Sequence, residues 1–136
     1  MRWILPCNLK YYDVFGSFEK NEIIDWKQTN PNIAIDDEVF IYVGQPVRAI
    51  VFRCKVLEVN MAKHLIDDRE FSLVEEKYIN HKSHMRIKLV AKYDPALFNY
   101  QRIAELGEKG RIMCQRRMAP ALQLAIDEYN GHDGKN

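Results

Sequence analysis

The chain has 136 residues, 47% hydrophobic and 29% charged, which suits one globular domain with its own core and excludes a disordered or fibrous chain. The net charge of +1 gives no support to nucleic-acid binding, since a dedicated non-specific binder is usually far more basic, so any such role must rest on local patches and a pocket. No apolar run reaches the roughly 18 residues of a membrane span, and the opening Met-Arg-Trp-Ile-Leu-Pro is too short for a signal peptide. A cytoplasmic protein without membrane partners is expected. Cys7, Cys54 and Cys114 are odd in number and lack CxxC spacing, so they read as reduced thiols, two or three of them in the core.

Residues 2–5 read as a short first strand stopped at Pro6. Tyr11, Val14, Phe15 and Phe18 recur at i, i+3, i+4, i+7, the stripe of an amphipathic helix, with Asn8 as its N-cap. Asp25-Trp26-Lys27-Gln28 and Asn30-Pro31-Asn32 read as a loop. Glu38–Val43 alternates strictly, Val39, Ile41 and Val43 to one side, Phe40 and Tyr42 to the other. After the turn Gly44-Gln45-Pro46, a long strand is predicted over about residues 47–60. Its apolar side runs Ile50, Phe52, Cys54, Val56, then switches to Leu57 and Val59. With side chains at period two, such a switch requires a bulge or bend, which lets a sheet turn a corner and close.

Residues 61–82 read as a long loop with one short element around 71–74. Met85, Ile87, Leu89 and Ala91 alternate with His84, Arg86 and Lys88, a half-buried strand with a basic outer face. A helix follows over about 98–106, stopped by Gly107, then a last short strand over 111–115. The final helix starts at Ala119-Pro120 and carries Leu122, Ala125, Ile126 and Tyr129 on one face until Asn130-Gly131. One domain over 1–130 and a disordered tail over 131–136 are expected. The fold class is α+β: a β-barrel of about five to six mostly antiparallel strands with about three flanking helices.

The chain has no phosphate-binding glycine loop, no GxSxG, no HExxH and no Cys/His zinc pattern. His81 and His84 read as surface histidines, and Asp36-Asp37 and Asp67-Asp68 as solvated turn acids. Adjacent carboxylates on a strand point to opposite faces and make a poor metal site. No nucleophile stands with a base. The expectation is no cofactor, no metal and no self-sufficient enzyme.

The stretch Trp3-Ile4-Leu5-Pro6-Cys7-Asn8, the aromatic helix over 11–18, Ile24-Asp25-Trp26-Lys27-Gln28 and Asp37-Glu38-Val39-Phe40-Ile41-Tyr42-Val43-Gly44 together resemble an EVE domain of the PUA-like superfamily, close to YTH and ASCH domains. Gly110-Arg111-Ile112 through Gln115-Arg116-Arg117 into a proline-started helix also resembles the end of such domains. The resemblance covers roughly residues 1–130. Two departures stand out. The family has Gly-Asp where this chain has Asp36-Asp37, which bears on the local turn. A glycine-containing form is common where Met113-Cys114 precede Gln115, which bears on how that loop meets a ligand.

The resemblance implies a concave pocket that takes a flipped, modified base, with modified cytosine in DNA favoured over RNA. Such domains occur fused to HNH nucleases in restriction systems, so a nuclease is the partner it suggests. A monomer or weak dimer is expected. A flipped base needs aromatic walls, polar groups for its edge and cations for its phosphates. Trp26 and Tyr42 are the candidate walls, with Tyr11 and Tyr12 at the pocket mouth. Asn8 and Asp13 are candidates for the base edge, since a carboxylate accepts from a cytosine amino group. Lys109, Arg111, Arg116 and Arg117 are candidates for phosphates. Each has a structural alternative: Trp26 as a barrel plug, Tyr42 under a helix, Asn8 and Asp13 at the helix start, the cations as solvated surface. Reading of modified RNA bases, or a small-molecule or protein-interaction module with a degenerate pocket, remain alternatives.

Overall fold

The computed structural model describes residues 1–62, 65, 66, 69–71 and 83–133, without the side chains of 69 and 131–133. The strands β1 (Arg2–Cys7), β2 (Ile23–Lys27), β3 (Glu38–Val43), β4 (Ala49–Met61), β5 (His84–Lys92) and β6 (Arg116–Arg117) form one sheet in the order β2-β5-β4-β3-β1-β6. Every pairing is antiparallel except β1 with β3. Among the described residues three helices accompany it: α1 (Val14–Lys20), α2 (Tyr100–Glu105) and α3 (Pro120–Asp133). A 3₁₀ turn lies at Arg69–Phe71, where a short element is expected from the sequence. His81, Asp67-Asp68 and the rest of that element lie outside the described residues.

The period of two sorts the side chains into two cores. Trp3, Leu5, Val39, Ile41, Val43, Ile24, Trp26, Met85 and Ile87 face inward and pack with Val14 and Phe18 of α1. Ile4, Phe40 and Tyr42 face outward and are covered by Ile103 of α2 and Leu122 and Ile126 of α3. The alternation read along Glu38–Val43 is the alternation found. Because both sheet faces are covered where β4 begins, Ala49, Ile50, Val51 and Phe52 are all buried. The bend expected near residue 57 coincides with a register shift between Val56 and Glu58 in the β4–β5 pair, with further shifts on either side.

This curvature brings the two sheet edges, β2 and β6, together without a ladder between them. One side chain closes the gap. Gln115, buried just before β6, donates from Nε2 to Lys27 O at 2.7 Å and accepts from Thr29 N at 2.8 Å and Asn30 N at 3.2 Å through Oε1. Asn30 Nδ2 donates back to Gln115 O at 3.3 Å. The barrel is therefore an open sheet with a stitched seam.

Several local expectations need correction, among them His84, which is buried and not a surface histidine. The loop read over residues 25–28 begins as strand β2: Ile24 and Trp26 point inward, and Asp25 lies directly across from Arg86 and pairs with it at 2.9 Å. A charge on an outward strand position looks like loop composition until its cross-strand partner is known. The first helix starts at Val14, and its N-cap is Asp13, which accepts from Gly16 N at 3.1 Å. Glycine three residues later leaves room for this cap, since a Cβ there would lie 2.3 Å from Asp13 Oδ2 and the carboxylate would have to shift. The last strand lies at Arg116–Arg117 and not at 111–115, because Arg116 and Arg117 are the residues in register with Ile4 and Trp3. Helix α3 runs past the expected cap to Asp133, anchored by Tyr93 Oη donating to Asn130 Oδ1 at 3.1 Å.

Asp36-Asp37 are not two solvated acids. Asp36 is exposed with φ 74°, the left-handed conformation a glycine would take at that place, so the turn survives the departure. Asp37 is buried and accepts from Trp3 Nε1 at 2.9 Å, Ala34 N at 2.9 Å and the terminal amine at 3.0 Å. Burial alone would raise its pKa; these donors outweigh it and hold the carboxyl below its usual range.

Candidate functional site

The candidate residues divide among the turn after β1, strand β2, strand β3 and the segment that leads into β6. β1 ends at Cys7, and its backbone then turns under Asn8, whose Oδ1 accepts from Lys10 N at 2.9 Å and whose carbonyl accepts from Tyr11 N and Tyr12 N. Asn8 is thus a turn residue and not the helix cap. The turn lays Tyr12 against Trp26 of β2, edge to face, with ring centroids 5.5 Å apart and planes at 82°. Tyr12 is half-buried, and its hydroxyl shares a hydrogen bond of 2.7 Å with Ser17 Oγ of α1. Tyr11 is half-buried beside the Lys10 ammonium, 5.7 Å from its ring. Burial pushes the Cys7 thiol up to about 12, opposed by the charge of Lys27 and assisted by that of Asp13, so these three groups lie within electrostatic reach of one another.

Trp26 is buried, 7% exposed, and its indole Nε1 has no hydrogen-bond partner among the described residues. A buried indole N–H ordinarily finds an acceptor, and leaving a donor unpaired away from water costs about 1–3 kcal/mol. Trp3 shows the ordinary case on the same inner face, with its N–H on Asp37. Trp26 therefore offers an edge with an unused donor and not an open ring face.

Tyr42 does not join this group. Its ring belongs to the outer core, in edge contact with Tyr100 at 6.5 Å, while Trp26 belongs to the inner core. The two expected walls stand on opposite faces of the sheet and cannot enclose one base. The reason is the period-two alternation itself: Tyr42 flanks the inward-facing Ile41 and Val43.

The cations divide as well. Arg116 is pulled back by Glu108, with Nη2 3.1 Å from Oε1, although no acid occurs among residues 109–117. Glu108 is itself buried and also accepts from Ala119 N at 2.5 Å. Lys109, Arg111 and Arg117 are exposed. The strand cations are mostly neutralised: Arg53 by Glu38, Lys55 by Asp36 at 3.3 Å, Arg86 by Asp25 and Lys88 by Glu22 at 3.8 Å. Asp25 is fully inside; burial would raise its pKa, but Arg86 and the Leu65 and Ile66 amides hold it below the usual carboxylate range.

No known protein family and no curated protein matches the sequence. Among solved structures, the ASCH protein of Zymomonas mobilis superposes with a TM-score of 0.65 at 8% identity, over 93% of this chain and 94% of that one. Two single-substitution variants of that protein superpose at 0.64 and 0.65, again at 8% identity, over 93% and 94% of this chain and 96% and 95% of theirs. The chain shares the fold of that ASCH protein. At that identity the match is one of architecture, extending along nearly the whole of both chains.

Within this ASCH-type fold, reasoning from sequence alone misses Gln115, Glu108 and Asp37. Their roles depend on long-range partners, and no periodicity marks them. Cys7 and Cys54 are buried and Cys114 is exposed beside the exposed Met113. Among the described residues, no group of three or more His, Cys, Asp or Glu is placed to hold a metal, and no helix is long and apolar enough to cross a membrane.

Proposed function

We propose that the chain is an EVE-type nucleic-acid reader that accepts one flipped base, a modified cytosine in DNA, at the seam beside Tyr12 and Trp26. The observation that carries this reading is the buried Trp26 N–H with no acceptor, set edge-on to a half-buried tyrosine. A base edge supplies the missing acceptor. Tyr12 and Tyr11 supply the stacking surface, the Asn8 amide and the Asp13 carboxylate lie in the same turn, and Asp13 Oδ1 is already engaged as the cap. Exposed Lys109, Arg111 and Arg117 take the phosphates, with Arg116 committed to Glu108. The resemblance to EVE domains and the PUA-like architecture support this reading, and the choice of DNA and of cytosine rests on the resemblance.

The magnitudes fit a selective, weak binder. Stacking contributes about 1–3 kcal/mol per base, while unstacking costs a few kcal/mol. Aromatic contact alone barely offsets flipping, so hydrogen bonds to the base must decide occupancy. With a net charge of +1 and paired strand cations, the electrostatic background is small and discrimination is carried by the pocket. The chain supplies no chemistry of its own in this role and would direct a partner such as a nuclease.

Titration of matched DNA duplexes with unmodified and modified cytosine tests the proposal. Tighter binding of the modified duplex is the expected result. Equal, weak, salt-sensitive binding to both would remove the specific-reader assignment. Preferential competition by RNA would move the substrate to RNA. A metabolite retained in a native mass spectrum, with no nucleic-acid binding at low salt, would favour the small-molecule module.

A further inference from the structure

Arg48 differs from most of the cations on β4 and β5. Arg53, Lys55, Arg86 and Lys88 each face a carboxylate, whereas exposed Arg48, in the turn before β4, has no acid partner among the described residues. Its backbone has φ 51°, a region that residues with side chains rarely adopt. Its guanidinium lies over the Tyr100 ring, 4.7 Å from the centroid, and it stands close enough to Tyr42 to act on that hydroxyl. Tyr100 reaches further: its hydroxyl donates to Gly110 O at 3.1 Å. Gly110 sits between the exposed Lys109 and Arg111, and the neighbouring acid, Glu108, is turned inward onto Arg116 and Ala119 N. The segment 109–117 therefore runs from the Arg48–Tyr100 pair at one end to the Gln115 seam at the other.

We propose that Arg48, Lys109 and Arg111 form a phosphate subsite for the single-stranded nucleic-acid segment that flanks the bound base, with Tyr100 as the positioning residue that holds Arg48 and the 109–111 turn together. This rests on the base-reading assignment and extends it from a pocket to a strand path. A guanidinium held flat on a ring loses little side-chain freedom on meeting a phosphate, and its planar fork matches phosphate oxygens in pairs. The occupant is polyanionic because exposed Arg48, Lys109 and Arg111 have no acid partner among the described residues and are brought together through Tyr100.

Fluorescence anisotropy over a salt series tests the subsite, with a short oligothymidine and the modified-cytosine duplex as probes. The full chain is compared with Arg48→Gln and with the triple variant Arg48→Gln, Lys109→Gln, Arg111→Gln. Removing one phosphate-neutralising cation lowers the slope of log K against log salt by about 0.7 on a single strand, so the triple variant is expected to lose about 2. Tyr100→Phe keeps every charge and removes only the hydroxyl held by Gly110 O; weaker oligothymidine binding by that variant supports a positioning role. An unchanged slope in the triple variant overturns the subsite. So does a polyglutamate chain that competes as well as the oligonucleotide, which would assign the surface to an acidic protein. If the modified base is not preferred but the slope still falls, the base reading fails and the subsite stands. If the preference holds and the slope does not move, the subsite fails alone.

Discussion

Trp3 and Trp26 are alike in burial: both lie on edge-proximal strands, both face the inner core, and they are 2% and 7% exposed. They differ in one atom's surroundings. The Trp3 N–H is taken by Asp37 at 2.9 Å, and the Trp26 N–H is taken by nothing among the described residues. A tryptophan that serves only the core is expected to settle its donor within the core. The contrast separates a tryptophan whose donor is satisfied within the fold from one whose donor is not, which is the basis of the ligand role proposed for Trp26.

The largest expected effect lies on the structural side of this contrast. Asp37→Ala leaves the Trp3 and Ala34 donors without their acceptor, and at about 1–3 kcal/mol per stranded group the variant should lose about 3 kcal/mol or more, read from urea denaturation. A pH series gives the same residue a sign. The folded pKa of Asp37, and that of Asp25, lies below the ordinary aspartate value of 3.8. Their contribution is therefore complete above that value and is lost as pH falls through the lower folded pKa. Stability should decline on the acid side, and Asp37→Asn should flatten part of that decline. A variant as acid-sensitive as the parent would contradict the role given to Asp37.

The seam comes next in size. Gln115→Ala removes three side-chain hydrogen bonds that join the sheet edges. A loss of about 2 kcal/mol is expected, with faster hydrogen exchange at the Thr29 and Asn30 amides than at the β3–β4 ladder. Uniform acceleration across the sheet would mean that the seam is not a separate unit.

Much of the fold is legible in the sequence because it follows from periodicity. The alternation along Glu38–Val43 separates inner from outer core, the phase switch at Val56–Leu57 locates the bend, and Pro120 marks the start of the last helix. The candidate site is less legible. Asp25 makes β2 look like a loop because its partner Arg86 is 61 residues away. Residue type groups Tyr42 with Trp26, although alternation already places Tyr42 opposite Ile41. The 109–117 segment looks like one basic patch until Glu108 folds onto Arg116. In each case the missing information is a long-range partner, which local pattern does not carry.

The smallest effect on stability should come with the largest effect on function. Trp26→Phe removes the unpaired N–H and keeps an aromatic ring against Tyr12; relief of the stranded donor offsets lost packing, so stability should change by less than about 1 kcal/mol. The direct test is the ratio of affinities for modified and unmodified duplexes, measured for the parent chain and for Trp26→Phe under the same salt. The expected result is a ratio that collapses toward one in a variant as stable as the parent. A preserved ratio would show that the unused indole donor is no part of recognition.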